Sequence, residues 1–320
     1  MKKIGFAGSF DPITNGHLHV INEALNIAEE VHVIVSINPS KKYMFSGTDR
    51  KNMIEDAVGH NSKIKVHLVE NNYVASWLAD NDINYLIRGI RNSNDFEHEK
   101  LIQRANMDVF GPVNTLFIMP PSDLESVSSS FVKGLIGPEN WPHYIKKFVP
   151  GNVFFQILKN YILDNANLNI RNNPHRYKEL IGYVMDSYML PNRNYHNLEH
   201  IASMITDYKN NHKGFVIQNI IDAIIFHDVV QQGVCSSYFE HNVSNFKSYT
   251  TDEEKSAAIA EYVIKECSTQ EDVKNNYVSN FVKQTMYSGG ISGPSEIIDL
   301  DFMILGKPAN IYNEYKDNIR

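Results

Sequence analysis

The sequence predicts two domains of different class, an α/β domain on a parallel sheet followed by an all-α domain. Three observations carry this. Short apolar strands alternate with amphipathic stretches through the first half, the pattern of a parallel sheet covered by helices. A polar, Asn-rich run, DNANLNIRNNP, then intervenes, which buries little and turns readily. Beyond it strand signals become scarce, and apolar residues recur at three- and four-residue spacing. A chain of 320 residues also suggests two domains rather than one. The expected division is 1–163, a linker at 164–174, and 175–320.

In order, strands are expected at Lys2–Ala7, Val31–Ser36, Ile64–Val69, Tyr85–Arg88 and Thr115–Met119. Helices are expected from near His17, at Asp49–Val58, Val74–Asn81 and Asp95–Met107, from the serines Ser128–Ser130, and around Phe148–Leu163. In the second half, Arg176–Tyr188, Leu198–Tyr208, Phe215–His227, Glu253–Cys267 and Asp272–Met286 read as helices. Hydrophobic residues make up 42% and charged residues 21%, enough apolar material for two packed cores.

The formal net charge of −7 leaves no global basic field for gripping nucleic acid, so small anions must be met by locally placed cations. Cys235 and Cys267 are the only cysteines, and no secretory segment precedes the first strand, so a cytoplasmic protein is expected. No apolar run reaches the roughly 18–20 residues that span a bilayer, and no membrane partner is expected.

The first chemical constellation begins at GSFDPITNGH, Gly8 to His17. Gly8 permits close approach of backbone and ligand after the strand, and Pro12 with Asn15-Gly16 sets a tight turn. His17 then falls at a helix start, where free amides and the positive dipole end favour phosphate. From there a histidine can donate to phosphoryl oxygens as charge builds on them. Further groups follow other strands: Lys41 and Lys42 in NPSKK, Arg88 and Arg91 around Gly89 in LIRGIR, and Ser128, Ser129 and Ser130 in SVSSSFVK. Each falls at the carboxyl end of an expected strand, where open α/β sheets place their ligands. Arginine offers a forked donor to phosphate and lysine a point charge.

The segments GSFDPITNGH, NPSKKYMF, LIRGIRNSNDFEHE and SVSSSFVK resemble the successive signatures of bacterial phosphopantetheine adenylyltransferase, in that family's order and spacing, and FVPGNV resembles the entry to its last helix. The resemblance implies a Rossmann-like nucleotidyltransferase fold. It also implies ATP, Mg²⁺ and 4′-phosphopantetheine as partners, dephospho-coenzyme A as product, and in-line attack of the acceptor phosphate on the α-phosphate. By that match ATP would touch Ser9, Phe10, His17, Gly89, Ile90, Arg91 and Glu99, together with Leu124, Glu125, Ser126, Val127, Ser128, Ser129 and Ser130. Ser9, Lys41, Val74 and Arg88 would line the acceptor site, and His17 would stabilise the transition state. Ser9 stands where threonine is common, and Leu124-Glu125-Ser126 replaces an aromatic-containing approach to the serines. Another adenylyl- or cytidylyltransferase, acting on nicotinamide mononucleotide or glycerol phosphate, is the alternative within this fold.

The second constellation is YHNLEHI, then FHD, then DLDFMILG. His196 and His200 are four apart and share a helix face. His227 and Asp228 end an apolar helix, and Asp299 and Asp301 come later. Imidazole with carboxylate suits Zn²⁺, Mn²⁺, Fe or Mg²⁺ over thiophilic ions. His175 and His212 read as ordinary structural histidines.

The set resembles the HD superfamily of metal-dependent phosphohydrolases, with its H…HD…D pattern, from about Arg176 to Arg320, and EEKSA at Glu253–Ala257 extends the likeness. YHNLEHI with FHDVVQQG also resembles the core of cyclic-nucleotide phosphodiesterases. The resemblance implies His200, His227, Asp228 and Asp301 as ligands of a divalent metal such as Mn²⁺, Zn²⁺, Fe²⁺ or Ni²⁺. His196 would be the general acid, with the roles of His196 and His200 open to exchange. Gln231–Tyr249 looks like an insertion able to form a substrate lid. The whole then reads as a bifunctional, homo-oligomeric enzyme. The alternative is a nucleotidyltransferase fused to a nucleotide-sensing module that does not turn its ligand over.

Overall fold

The computed structural model describes residues 2–111, 113–166, 172–191, 193, 195–212, 216–268, 277–283, 285 and 296–319. The strands are β1 Lys3–Gly8, β2 Glu30–Ser36, β3 Ile64–Val69, β4 Tyr85–Gly89 and β5 Asn114–Ile118. They form one parallel sheet in the order β3-β2-β1-β4-β5. The chain builds outward from β1 through β2 to β3, then crosses to β4 and β5 on the other side. The order therefore reverses between β1 and β4, and a crevice opens at the carboxyl ends of those two strands.

Helices α1 Asn15–Ile27, α2 Gly47–Val58, α3 Val74–Asp80 and α4 Ser93–Phe110 alternate with the strands, and α5 Ser129–Leu135 follows β5. The starts of α2, α4 and α5 carry side-chain caps. Ser46 accepts from the Asp49 amide, Asn92 from that of Asp95, and Ser128 from that of Phe131. Each capped end follows a strand, and the Ser128-capped start of α5 stands in the wall of the crevice. The apolar runs of β1 and β2 are buried along nearly their whole length, as a sheet covered on both faces requires. Ala7, Ile34, Val69, Leu78, Ile83, Leu86 and Val113 make one such covered face. Gly5 is needed there, because a Cβ would stand 2.6 Å from the Leu78 side chain of α3.

The chain divides into two compact units, residues 1–136 with 144–154, and residues 137–143 with 155–320. Helix α6 Trp141–Ile145 and helix α7 Gly151–Asn165 each carry residues of both units. Of the expected linker at 164–174, residues 167–171 lie outside the described residues.

The second unit contains α8 Pro174–Ser187, α9 Leu198–Asn211, α10 Gln218–Phe226, α11 Ser237–Asn242 and α12 Asp252–Cys267, with further helices at Val278–Lys283, Glu296–Phe302 and Ala309–Ile319. Among its described residues there is no strand, only an isolated bridge between Gln231 and Val234. The expected helix Asp272–Met286 is helical at Val278–Lys283, and residues 269–276, 284 and 286–295 lie outside the described ones. Residues Ile220 to Phe226 of α10 are all buried, so this helix runs through the core of the unit and delivers His227 at its end. Segment Gln231–Tyr249 turns Cys235, Phe239, Val243 and Phe246 inward, and Tyr238 stacks on Tyr183 at 4.1 Å. That packing anchors the segment in the unit's core. No helix among the described residues is long and apolar enough to cross a membrane.

Candidate functional site

A cavity of about 560 Å³ opens at the crevice between β1 and β4. Of the residues singled out in the sequence, Ser9, Phe10, His17, Lys41, Arg88, Gly89, Arg91, Glu99, Leu124, Val127, Ser128, Ser129 and Ser130 line it. Val74, Ile90, Glu125 and Ser126 are outside its lining. Val74 packs against the apolar face of the sheet. The Ile90 amide continues the β4–β5 ladder to the Ile118 carbonyl at 2.9 Å, and Glu125 and Ser126 are solvent-exposed.

His17 lies in the first turn of α1, where it caps the helix from inside. The Thr14 amide donates to His17 Nδ1 at 3.0 Å. A backbone amide can only donate, so Nδ1 is the unprotonated nitrogen and the neutral ring carries its proton on Nε2. Burial, reinforced by Arg91 and Arg88, pushes the ring down to about 4. His17 at neutral pH is therefore an uncharged Nε2–H donor, a group suited to meeting negative charge as it develops. Gly16 permits this approach, since a Cβ there would stand 3.3 Å from the Val127 carbonyl oxygen.

The cavity's arginines are held by carboxylates from α4. Arg88 reaches Glu99 through two parallel bonds, Nε to Oε2 at 2.7 Å and Nη2 to Oε1, while its Nη1 donates to the Ala7 carbonyl. Arg91 donates from Nε to Asp95 Oδ2 at 2.9 Å. Lys41 and Lys42 stand exposed in the loop after β2 and make no ion pair among the described residues. Ser129 donates from its hydroxyl to the Pro12 carbonyl at 2.7 Å, joining the start of α5 to the loop after β1.

The helical unit brings together a second group. Ligating atoms of His196, His200, His227 and Asp301 all lie within 4.8 Å of one another. Asp228 joins them, with Oδ2 at 2.6 Å from His196 Nδ1 and 3.3 Å from His227 Nε2, and His200 Nε2 is 2.9 Å from Asp301 Oδ1. His196 Nδ1, His200 Nε2, His227 Nε2 and Asp301 Oδ1 are buried without a properly oriented hydrogen-bond partner. Buried polar atoms converging on one point are costly unless a ligand satisfies them, and a divalent cation fits this donor set.

His227 Nδ1 lies 2.7 Å from the Ile224 carbonyl, which can only accept, so Nδ1 carries a proton and Nε2 is the nitrogen that faces the group. Burial favours a neutral His200 and pushes it down. Burial also opposes charge on Asp228, but His227 and His196 outweigh it and hold the carboxyl well below the usual range. For His227, Asp228 and Asp301 likewise outweigh burial and push the ring up to about 9, so a cation and a proton compete for Nε2. His200 and His227 wall the group, and His196, Asp228 and Asp301 leave its open side.

Residues 6–134 match the family described as cytidylyltransferase-like. A phosphopantetheine adenylyltransferase of Chromobacterium violaceum is 38% identical over 161 residues, 50% of this chain and 98% of that relative. The chain belongs to the phosphopantetheine adenylyltransferase family. A relative of the same name from Neisseria meningitidis is 35% identical over 160 residues, 50% of this chain and 94% of its own. Among solved structures, a Plasmodium falciparum nicotinic acid mononucleotide adenylyltransferase complexed with NaAD aligns at a TM-score of 0.38 and 22% identity, over 50% of this chain and 96% of that one. The five-stranded parallel sheet is thus the nucleotidyltransferase part of this family member.

Sequence reasoning missed several groups. Asp95, His98 and Lys133 also line the cavity. At the metal-ligand group it missed Arg193 and Tyr188. Arg193 donates to the carbonyls of Asp228 and Val229, both at 2.6 Å, and the Tyr188 hydroxyl accepts from the Asp228 amide at 3.2 Å. Neither carries a local sequence signal, because both act on backbone distant in the chain. Asp11 did carry one: a carboxylate inside a phosphate-binding turn is out of place unless something pairs it.

Proposed function

We propose that the N-terminal half transfers the adenylyl group of ATP to 4′-phosphopantetheine, giving dephospho-coenzyme A and pyrophosphate. The observation that carries this reading is the gathering of His17, Lys41, Arg88, Arg91 and the Ser128–Ser130 helix start in one cavity, in a chain covering 98% of a curated phosphopantetheine adenylyltransferase. A phosphate oxygen of the acceptor attacks the α-phosphorus in line, and the bond to the bridging oxygen breaks as pyrophosphate leaves. The nucleophile is already an anion and the leaving group is competent, so positioning and charge stabilisation suffice. His17 Nε2–H meets the developing charge, Arg88 and Lys41 hold the acceptor phosphate, and Arg91 with the α5 amides and hydroxyls holds the nucleotide phosphates. Mg²⁺ enters with ATP.

The helical half, assigned to 175–320, is on this reading an HD-type metal-dependent phosphohydrolase for a nucleotide or phosphorylated metabolite. His200, His227, Asp228 and Asp301 would hold the metal and His196 would supply a proton, or His196 and His200 would exchange roles. The metal, when bound, polarises the phosphate and acidifies a water. The four orphaned buried atoms support it.

The test uses the full chain. Mg·ATP and 4′-phosphopantetheine should yield pyrophosphate and dephospho-coenzyme A in equal amounts. Silence in this assay with turnover of nicotinamide mononucleotide would overturn the acceptor assignment. Metal analysis after reconstitution with Mn²⁺, Zn²⁺, Fe²⁺, Ni²⁺ or Mg²⁺ should find a bound ion. A protein that takes up none and hydrolyses no phosphate ester has a scaffold or sensor for its second half.

A further inference from the structure

Two charged side chains are almost fully enclosed, one in the cavity wall and one beneath the loop beside it. Asp11 is 2% exposed and Arg50 is 1% exposed. Buried charges persist only where every lone pair or proton finds a partner, so what each one holds shows what it is for. Asp11 accepts from the Met44 amide at 3.0 Å and the Phe45 amide at 3.0 Å, and takes an ion pair from Lys133 on α5 at 2.7 Å. Arg50, on α2, donates from Nη1 to the Ser9 carbonyl at 2.6 Å and to that of Ser36 at 3.3 Å. Its Nε donates to the Ser46 carbonyl at 3.3 Å, and the guanidinium lies 4.0 Å from the centre of the Tyr43 ring.

These partners have a common member. Met44, Phe45, Ser46 and Tyr43 end the loop between β2 and α2 that carries Lys41 and Lys42 into the cavity. Ser36 ends β2 and begins that loop. The loop is therefore gripped at its base by a carboxylate from the β1 turn and at both ends by a guanidinium beneath it. Asp11 extends the grip to α5, whose start carries Ser128–Ser130.

We infer that Asp11 and Arg50 are positioning residues, a buried brace that fixes the Lys41–Lys42 loop against the β1 turn and α5. Asp11 is held by two backbone amides and Lys133, and Arg50 by three backbone carbonyls, so both are engaged in holding the chain. The consequence for turnover rests on the reading above that Lys41 serves the acceptor. A loosened loop should weaken acceptor capture more than ATP capture, most cleanly through Arg50, which bonds the Ser9, Ser36 and Ser46 carbonyls and leaves the Asp11–Lys133 tie to α5 in place.

The experiment compares wild type, Asp11→Asn and Arg50→Lys in the full chain. Asn at position 11 keeps one oxygen but turns an NH₂ group toward a donor, and Lys at position 50 keeps the charge but loses the fork. Limited trypsin digestion, read by mass spectrometry, reports loop release directly. Cleavage after Lys41 and Lys42 should quicken about 10-fold in Asp11→Asn, by less in Arg50→Lys, with other sites unchanged. KM for 4′-phosphopantetheine should rise about 10-fold in Asp11→Asn and by less in Arg50→Lys, and in Arg50→Lys KM for ATP should stay within about 2-fold. Folded Asp11→Asn protein with wild-type cleavage and unchanged acceptor KM overturns the brace. If Asp11→Asn does not fold, the same two readouts on Arg50→Lys decide. A wild-type enzyme inactive with 4′-phosphopantetheine refutes the acceptor reading, and the trypsin arm still judges the brace.

Discussion

His17 should remain neutral across the physiological range and titrate near pH 4. An ordinary histidine titrates near 6.5 and would be roughly a quarter protonated at pH 7. In the fold, burial together with Arg91 and Arg88 moves the ring down to about 4, where the protonated fraction at pH 7 is on the order of 0.1%. The Thr14 amide fixes the tautomer as Nε2–H. Two-dimensional ¹⁵N NMR of the ring should show that tautomer at pH 7 and a midpoint near 4. Adding pyrophosphate should raise the midpoint, because an anion beside the ring favours its charged form. The sign for stability follows from the same shift. Between pH 4 and 6.5 the unfolded chain binds a proton that the folded one does not, so stability is full above 6.5 and falls as pH drops toward 4. The full loss is at most about 3 kcal/mol, and His17→Ala should lack it. The same variant should lose about 10²-fold or more in turnover with substrate binding largely kept. A midpoint above 6, or an Nδ1–H tautomer, would refute the account of how the site keeps its donor.

Arg88→Ala should raise KM for 4′-phosphopantetheine more than for ATP, and Arg91→Ala should show the opposite bias. Initial rates with each substrate varied in turn check both, and equal effects would mean that the two roles are not separate. Adding Glu99→Gln to Arg88→Ala should recover part of any loss in ATP affinity. Asp228→Ala should release the metal of the helical unit and abolish phosphohydrolysis, read by metal content and phosphate release. Adenylyl transfer should persist, because its expected contacts all lie before residue 131. His196→Ala should keep the metal and lose about 10²–10⁴-fold in rate as a missing general acid. Loss of metal in His196→Ala but not in His200→Ala would exchange their roles.

The parallel sheet was legible because its strands are short and mostly apolar, with β1 and β2 buried along nearly their whole length, and because polar caps mark where helices begin. Expected and observed strand limits differ by a residue or so, as at Tyr85–Gly89. Helices Glu296–Phe302 and Ala309–Ile319 were not among the expected ones: the first, at seven residues, is too short to show a period, while in the second Ile311, Tyr312, Tyr315 and Ile319 do recur at helical spacing and were missed. The phosphate-handling side chains were legible as a set because each follows a strand, and in a parallel sheet all carboxyl ends lie on one edge. The groups that position them were not. Arg50 sits in a helix where any basic residue would read as solvated, and only the fold turns it under the loop. Arg193 likewise finds its carbonyls 35 and 36 residues along the chain.

Pairing between charged groups is where the sequence reading needed the structure most. Arg88 and Glu99 read from sequence as contacts to different substrates, yet they form one unit in the cavity wall. Arginine has five N–H donors, and three of Arg88's are committed, two to Glu99 and one to the Ala7 carbonyl. The remaining two can hold a phosphate without releasing Glu99. Glu99 in turn keeps lone pairs for a hydroxyl donor, but it cannot face a nucleotide phosphate alone without repulsion. On the proposed function, Arg88 would serve its own anion and also neutralise the carboxylate beside the neighbouring one. A chain of net charge −7 could thus, on the proposed function, gather polyanions, because the acidic groups lining this site are tied to cations. Lys41 and Lys42 are the exception, unpaired among the described residues and carried by the loop that Asp11 and Arg50 hold. Free lysines attract an incoming phosphate at long range, while paired arginines receive it at a fixed geometry. On the proposed function the site would divide capture from alignment between two kinds of cation, and the inferred brace would keep the capturing loop within reach of the aligning wall.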